Sequence, residues 1–480
     1  MVFNSTSFLV FFVVVFFVYW LLLKKSPKAQ NVFLLVVSYF FYGYADWKML
    51  PLQVISTVVF YFLGIGIGRS KRENTATLLK VLGVCLGIGI LLYFKYLNFF
   101  ISSFSDLFES MGIHNNWHTF DIIMPLGVSF FTFKLISYLL DIHSGEIEPT
   151  CNVVDFATYI SFFPCILSGP IDRPCFIDQL QQKREFNYDL AIDGLRQILW
   201  GLFKKLVVAD NCAVYVDQVF STYTSQSSST LLLAAVFFII QVYADFSGYS
   251  DMAIGIGKLL GFRITRNFNN PFFALNVADF WRRWHMSLTS WFTDYVFTPL
   301  NFQFRRWGKI GVISAIIINM VLVGLWHGAN WTFVAFGLYH GLLFVPLVLS
   351  GAFIKKTQWR INRFGLPVLK DIGRMLLTFS LVALGGIIFR AESIGQAWEY
   401  VRGIFHCSVF AMPFLYVGTK KSLLFLFVML FVEWIGRQKE HPMQYDKAFP
   451  EWLKVVISLL IVAAILEFAN NSQSFIYFQF

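Results

Sequence analysis

Twelve apolar runs recur along the 480 residues, near 8–23, 31–45, 51–68, 78–100, 122–140, 193–215, 231–257, 310–326, 331–350, 374–390, 421–436 and 454–469. A helix crosses the roughly 30 Å of a bilayer's hydrocarbon with about 20 residues. Lipid offers no hydrogen-bond partners, so a spanning segment must pair its own backbone groups, and runs of this length do so as helices. Hydrophobic residues form 57% of the chain and charged ones 14%, where soluble domains carry about 25% charge. A soluble enzyme is excluded. The expected fold is an all-α polytopic membrane bundle of about 11–12 transmembrane helices.

Lys and Arg exceed Asp and Glu by 38 − 28 = 10. In a soluble chain a basic face would suggest nucleic acid, but in a membrane chain Lys and Arg gather in cytoplasmic loops and set orientation. No nucleic-acid partner is expected. Phe8 to Leu23 has no basic residue before it and Lys24, Lys25 and Lys28 directly after it, the reverse of a secretory signal. This order reads as a retained first helix with its N-terminus outside. The loop with Arg69, Lys71 and Arg72 is then cytoplasmic, whereas residues 101–121 carry Asp106, Glu109 and Asp121 without Lys or Arg and read as external. Basic clusters at Lys258–Arg266, Arg305–Lys309 and Lys355–Arg363 mark further cytoplasmic connections, and Ser221–Thr230 an outside loop. Cys85, Cys151, Cys165, Cys175, Cys212 and Cys407 are scattered, so neither a zinc site nor a disulfide framework is signalled.

Two apolar segments are too broken to span: 155–170, interrupted by Pro164 and Pro170, and 272–300, interrupted by Arg282 and Arg283. They read as re-entrant or interfacial helices, tolerated at depth where protein or a cavity surrounds them. No separate soluble domain or repeat is visible, so 1–480 reads as one membrane domain, with N-terminal helices at 1–150, a catalytic core at 151–350 and C-terminal helices at 351–480.

Three stretches carry chemistry. QVYADFSGYSDMAIG places Asp245 and Asp251 inside apolar sequence; an ionisable residue there is a functional candidate, and the alternative is a polar clamp between helices. FWRRWHMSLTSWF sets Arg282, Arg283 and His285 among tryptophans. The arginines suit either snorkelling anchors or a cationic collar for the phosphates of a donor such as coenzyme A. His285 is a second catalytic residue or a structural one. GLWHGANW centres on His327, within 45 residues from Ile310 to Ile354 that lack any Asp, Glu, Lys or Arg. A low-polarity setting disfavours the imidazolium, so a histidine there stays able to accept a proton. Trp326, Asn330 and Trp331 beside it suggest substrate walls and a polar orienting group. His340 lies in an apolar helix without such a motif.

Taken with SYFFYGYADW, MPLGVSFFTF, SFFPCILSGPIDR and the terminal FIYFQF, these motifs make the chain resemble the membrane-bound O-acyltransferase superfamily, in its alginate O-acetyltransferase membrane-subunit branch. The resemblance implies a helical bundle around a central tunnel, with His285 and His327 as the two family histidines and His327 catalytic. It further implies a bacterial cytoplasmic membrane, an acyl-CoA (acetyl-CoA) or acyl-carrier thioester donor, a polysaccharide acceptor, and an extracytoplasmic SGNH-hydrolase-like partner that completes transfer. Hydropathy places the two histidines nearer opposite faces than one site requires; a re-entrant path for 272–300 resolves that conflict.

A thioester is already activated. The enzyme must orient an acceptor hydroxyl, remove its proton and stabilise the oxyanion. A neutral histidine serves the proton transfer, commonly worth about 10²- to 10⁴-fold, and Asn330 or a backbone amide is the candidate oxyanion donor, about 3 kcal/mol in other acyl transfers. Transient acylation of His327 is the alternative route. D-alanyl transfer to a cell-wall polymer is the nearby alternative activity. A transporter or flippase is a different class, but usually shows repeated halves, and none is found here.

The orientation has a direct check. A single cysteine at Ser26 should be silent to an impermeant reagent added outside intact cells; strong external labelling would invert the whole scheme.

Overall fold

The computed structural model describes every residue except 115, 407–410, 416–418, 447, 469–472 and 477–480. Cys407 and the last four residues of FIYFQF therefore lie outside the described residues. Among the described residues the regular structure is helical, with one isolated bridge, Ile361 to Pro367, as the single β-type pairing.

Every apolar run becomes helix. Leu50–Arg69, Glu73–Ser110, Ser228–Leu259, Arg305–His327, Trp331–Leu349 and Leu369–Arg390 are each long and apolar enough to cross a membrane. Thr6–Leu22 is a shorter apolar helix, and Pro27–Asp46, Val128–Ser144, Tyr188–Leu202, Thr419–Ile435 and Glu451–Phe468 occupy the other runs. Their starts follow capping chemistry. Ser5 accepts the Phe8 N–H, and Ser26, with Pro27 in the first helical position, accepts the Ala29 N–H. The two segments read as too broken to span are interrupted: Val153–Ser161 is followed by irregular turns, and Val277–Trp281 is followed, after a break at 282–285, by Met286–Phe292, which continues through the π-helical turn Thr293–Phe297 into Thr298–Gln303.

The chain divides into two compact units, Met1–Gly194 with Ala253–Thr265, and Leu195–Met252 with Arg266–Phe480. Their boundaries do not coincide with the divisions at 150 and 350 suggested by motif spacing. In the first unit, Arg184, in the irregular stretch after Phe176–Gln181, is tied to the start of the Pro27–Asp46 helix by donating to Gln30 Oε1, Asn31 Oδ1 and the Pro27 carbonyl. Asn31 in turn donates to Asp155 at 2.7 Å.

The second unit is organised by buried charge. A π-helical turn, Phe203–Ala209, presents consecutive lysines to the Ser228–Leu259 helix. Lys204 Nζ lies 2.5 Å from Asp251, and Lys205 Nζ lies 2.9 Å from Asp245 and 2.8 Å from Asp210. Gln197 donates to Asp251, the Ile476 N–H donates to Asp245, and Lys205 donates to the Gln473 carbonyl. Tyr243, on the Ser228–Leu259 helix, donates its hydroxyl to Glu433 of the Thr419–Ile435 helix. Removing one member of such a pair strands a charge away from water, which commonly costs about 3–5 kcal/mol.

Asp245→Ala or Lys205→Ala should therefore lower the melting temperature in detergent sharply, and Lys205→Met combined with Asp245→Leu and Asp210→Leu, which removes all three charges of the cluster, should recover most of the loss. Single variants that melt like the parent would show that the pair does not organise this unit.

Candidate active site

The chain around His327 is set by two helices packed at close range. The Gly308–His327 helix ends on the histidine, and Asn330 begins the next, Trp331–Leu343, by accepting the Thr332 N–H at 3.0 Å. The helices approach so closely that a Cβ on Gly337 would meet the Met320 carbonyl oxygen at 2.3 Å, and one on Gly328 the Phe333 ring at 2.1 Å. Glycine at these positions is therefore what puts His327 at a sharp joint.

His327 is 5% exposed. It lines an apolar cavity of about 30 Å³ together with Phe238, Val242, Trp281, Phe336, His340 and Phe389. Its ring lies 5.2 Å from Phe389, 6.1 Å from Phe336 and 5.0 Å from Trp326, all edge-on. Trp326 has a second histidine on its other flank, since the His285 ring lies 5.6 Å away. One indole thus lies beside both histidine rings, which hydropathy had placed nearer opposite faces.

His285 is wholly buried and sits at φ 43°, in the left-handed region. A backbone cost of about 1–2 kcal/mol attaches to that conformation in a residue with a Cβ, and such outliers gather at functional sites. Its Nδ1 accepts the Leu288 N–H at 3.3 Å, capping Met286–Phe292. A neutral ring that accepts at Nδ1 carries its proton on Nε2. His285 is thereby a hydrogen-bond donor on its Nε2 side.

Residues 144–384 match the membrane-bound O-acyltransferase (MBOAT) family. A probable alginate O-acetylase AlgI from Pseudomonas aeruginosa is 35% identical over 408 residues, 84% of this chain and 75% of its own. A peptidoglycan O-acetyltransferase from Helicobacter pylori is 30% identical over 533 aligned positions, covering 100% of this chain and 98% of its own. A teichoic acid D-alanyltransferase from Bacillus subtilis is 31% identical over 281 residues, 57% of this chain and 70% of its own.

The chain belongs to the membrane-bound O-acyltransferase family. It is a multi-pass membrane O-acyltransferase.

Within this MBOAT chain the other sequence candidates fall in different places. Trp326 is buried beside both histidine rings and Trp331 is 54% exposed; neither tryptophan, nor His285, lines the cavity. The Asn330 carboxamide is engaged at both ends, by Thr332 and by donation to the Glu392 carbonyl at 3.1 Å, which leaves a helix cap rather than an oxyanion donor. Asp245 is held by Lys205 and Ile476 and does not line the cavity, matching the clamp alternative. Arg282 is exposed and donates to the Phe353 carbonyl. Arg283 pairs with Asp279 at 2.9 Å and stacks 4.7 Å over Trp359. Neither arginine lines the cavity.

Sequence reasoning passed over His340 for want of a motif around it. The structure supplies one from a distance: Trp281, in the FWRRWH stretch, donates its indole N–H to His340 Nδ1 at 3.3 Å, and both line the His327 cavity. The signal was present, because His340 lies in the same charge-free stretch that singled out His327.

Proposed function

We propose that this O-acyltransferase moves a small acyl group, most simply acetyl, from a cytoplasmic thioester donor to a hydroxyl destined for an extracytoplasmic polysaccharide, with His327 as general base. The observation that carries the reading is His327 itself, buried at a helix joint on the wall of an apolar cavity, with Trp326 linking it to His285. The cavity is lined by apolar and aromatic side chains, Phe238, Val242, Phe336 and Phe389 among them, which suits the apolar end of a small acyl group. Relatives named as alginate O-acetylase and peptidoglycan O-acetyltransferase support acetyl transfer to a glycan.

In this mechanism a His327 ring nitrogen takes the proton of the acceptor hydroxyl as its oxygen attacks the thioester carbonyl carbon. The new C–O bond forms, the C–S bond breaks as the tetrahedral intermediate collapses, and the leaving thiolate recovers the proton from His327 to depart as a thiol. His285, a donor at Nε2, is suited to orient or polarise an oxygen rather than to accept the proton. The apolar walls strengthen each of these polar contacts by keeping water away. The donor is acetyl-CoA or an acyl-carrier thioester. An extracytoplasmic SGNH-hydrolase-like partner delivers the group to polymer, in a bacterial inner membrane with the N-terminus of this chain outside. D-alanyl transfer is the second reading, supported by the teichoic acid D-alanyltransferase relative.

His327→Ala should abolish acyl transfer, a loss of about 10²-fold or more, in protein that still folds. His327→Gln should be equally inactive, because glutamine hydrogen-bonds without taking a proton. His285→Ala should keep residual activity. His340→Ala removes the acceptor of the Trp281 N–H, and should lower stability by about 1–3 kcal/mol while leaving the base in place. Thioester consumption and thermal melting of each purified variant check the set, and near-normal turnover by His327→Gln would remove the general-base assignment.

A further inference from the structure

We propose that the first unit holds an anionic phospholipid in a groove at the end of its first helix, a site that shares no residue with the His327 cavity. The groove encloses about 640 Å³, within the range of small-molecule sites. One side is apolar. Phe16, Phe17, Trp20 and Phe186 form it, with Phe186 packed edge-on to Phe16 at 6.0 Å and to Trp20 at 5.5 Å. Trp20 is fixed by donation of its indole N–H to the Leu259 carbonyl at 2.9 Å.

The other side is basic: Lys24, Lys25, Lys183 and Arg184 face the groove with a single carboxylate, Glu185. Glu185 is paired with Lys183 at 2.8 Å, which leaves Lys24, Lys25 and Arg184 in excess. Arg184 matters most. It is 5% exposed, and its hydrogen bonds go to neutral oxygens, those of Gln30, Asn31, Pro27, Gln179 and Leu180. A guanidinium stays charged under such conditions. The groove therefore has a buried guanidinium behind a mouth of two exposed lysines.

Cation and grease meet in one groove at one end of a membrane helix. Leu21 and Leu22, directly before the lysines, are 65% and 73% exposed and form a lipid-facing surface. A phosphate headgroup meets the lysines and Arg184 while an acyl chain lies along the aromatic side, the arrangement by which basic pockets at helix ends take anionic lipids. A free phosphate ion or a soluble acidic protein satisfies the basic half alone and gives the aromatic half no role. Charge complementarity and the apolar wall together select the lipid.

The full chain, purified in mild detergent, should be offered equal amounts of phosphatidylglycerol and phosphatidylcholine with the same acyl chains, and retention read by native mass spectrometry. The parent should retain phosphatidylglycerol selectively. The triple variant Lys24→Gln, Lys25→Gln, Lys183→Gln should lose about tenfold or more of that selectivity with an unchanged melting temperature, and Phe17→Ser with Phe186→Ser should weaken retention with the charges intact. Arg184 is left alone because it holds the fold. Equal retention of the two lipids by the parent, or full selectivity in the triple variant, overturns the proposal. So does competition by glycerophosphoglycerol as effective as by the intact lipid, which assigns a phosphate site, or displacement of the lipid by an acidic carrier protein that the triple variant no longer binds, which assigns a protein dock.

Discussion

Two adjacent lysines within apolar surroundings must find carboxylates, and the second unit is built around that requirement. Lys204 and Lys205 leave the π-helical turn on different sides, and each meets its own acid on the Ser228–Leu259 helix. The acids are six residues apart, about 9 Å along the axis. Such pairs add little net stability over a well-packed apolar core, but a wrong rotation or slide of the helix leaves charges unpaired at a cost of several kcal/mol. The consequence reaches the active-site cavity. The same helix carries Phe238, Ile239 and Val242 to the cavity wall and Phe246 to within 4.5 Å of the His285 ring. Charge pairing thus fixes the rotation at which this helix meets the histidines.

Around the histidines the constraint is shape. Gly337 lets two helices touch, His327 ends one of them, and Trp326 fills the space between the imidazoles. His285 reaches its place through a left-handed backbone and a cap bond that also settles which nitrogen holds its proton. The two rings therefore differ in kind: one accepts at Nδ1 to cap a helix, and the other lies on the cavity wall.

The helical bundle was legible because every apolar run is a helix, and the two broken segments were legible from their prolines and arginines. His327, His285 and Trp326 stood out as unusual residues inside recognisable motifs, and the structure brings the three rings together. The partners of Asp245 and Asp251 were not, since Lys204 and Lys205 lie some forty residues earlier in a run that reads simply as a span. His340 was hidden for the same reason: its hydrogen-bond donor, Trp281, is 59 residues away. Asn330 and Trp331 misled in the opposite direction. They neighbour His327 in sequence, but a helix start turns the asparagine into a cap and the tryptophan outward. Sequence proximity to a catalytic candidate carries no information on direction once a helix begins.

The central claim is that acyl transfer takes place at His327, on the wall of the apolar cavity. A structure of the full chain with a non-transferable acetyl thioester analogue, its sulfur replaced by methylene, tests it most directly. The account requires the carbonyl carbon to lie against the cavity formed by Trp281, Phe336 and Phe389, so that an attacking hydroxyl fits between it and a His327 nitrogen at about 3 Å from each. A carbonyl bound elsewhere, beyond hydrogen-bond reach of any group that His327 can touch, contradicts it.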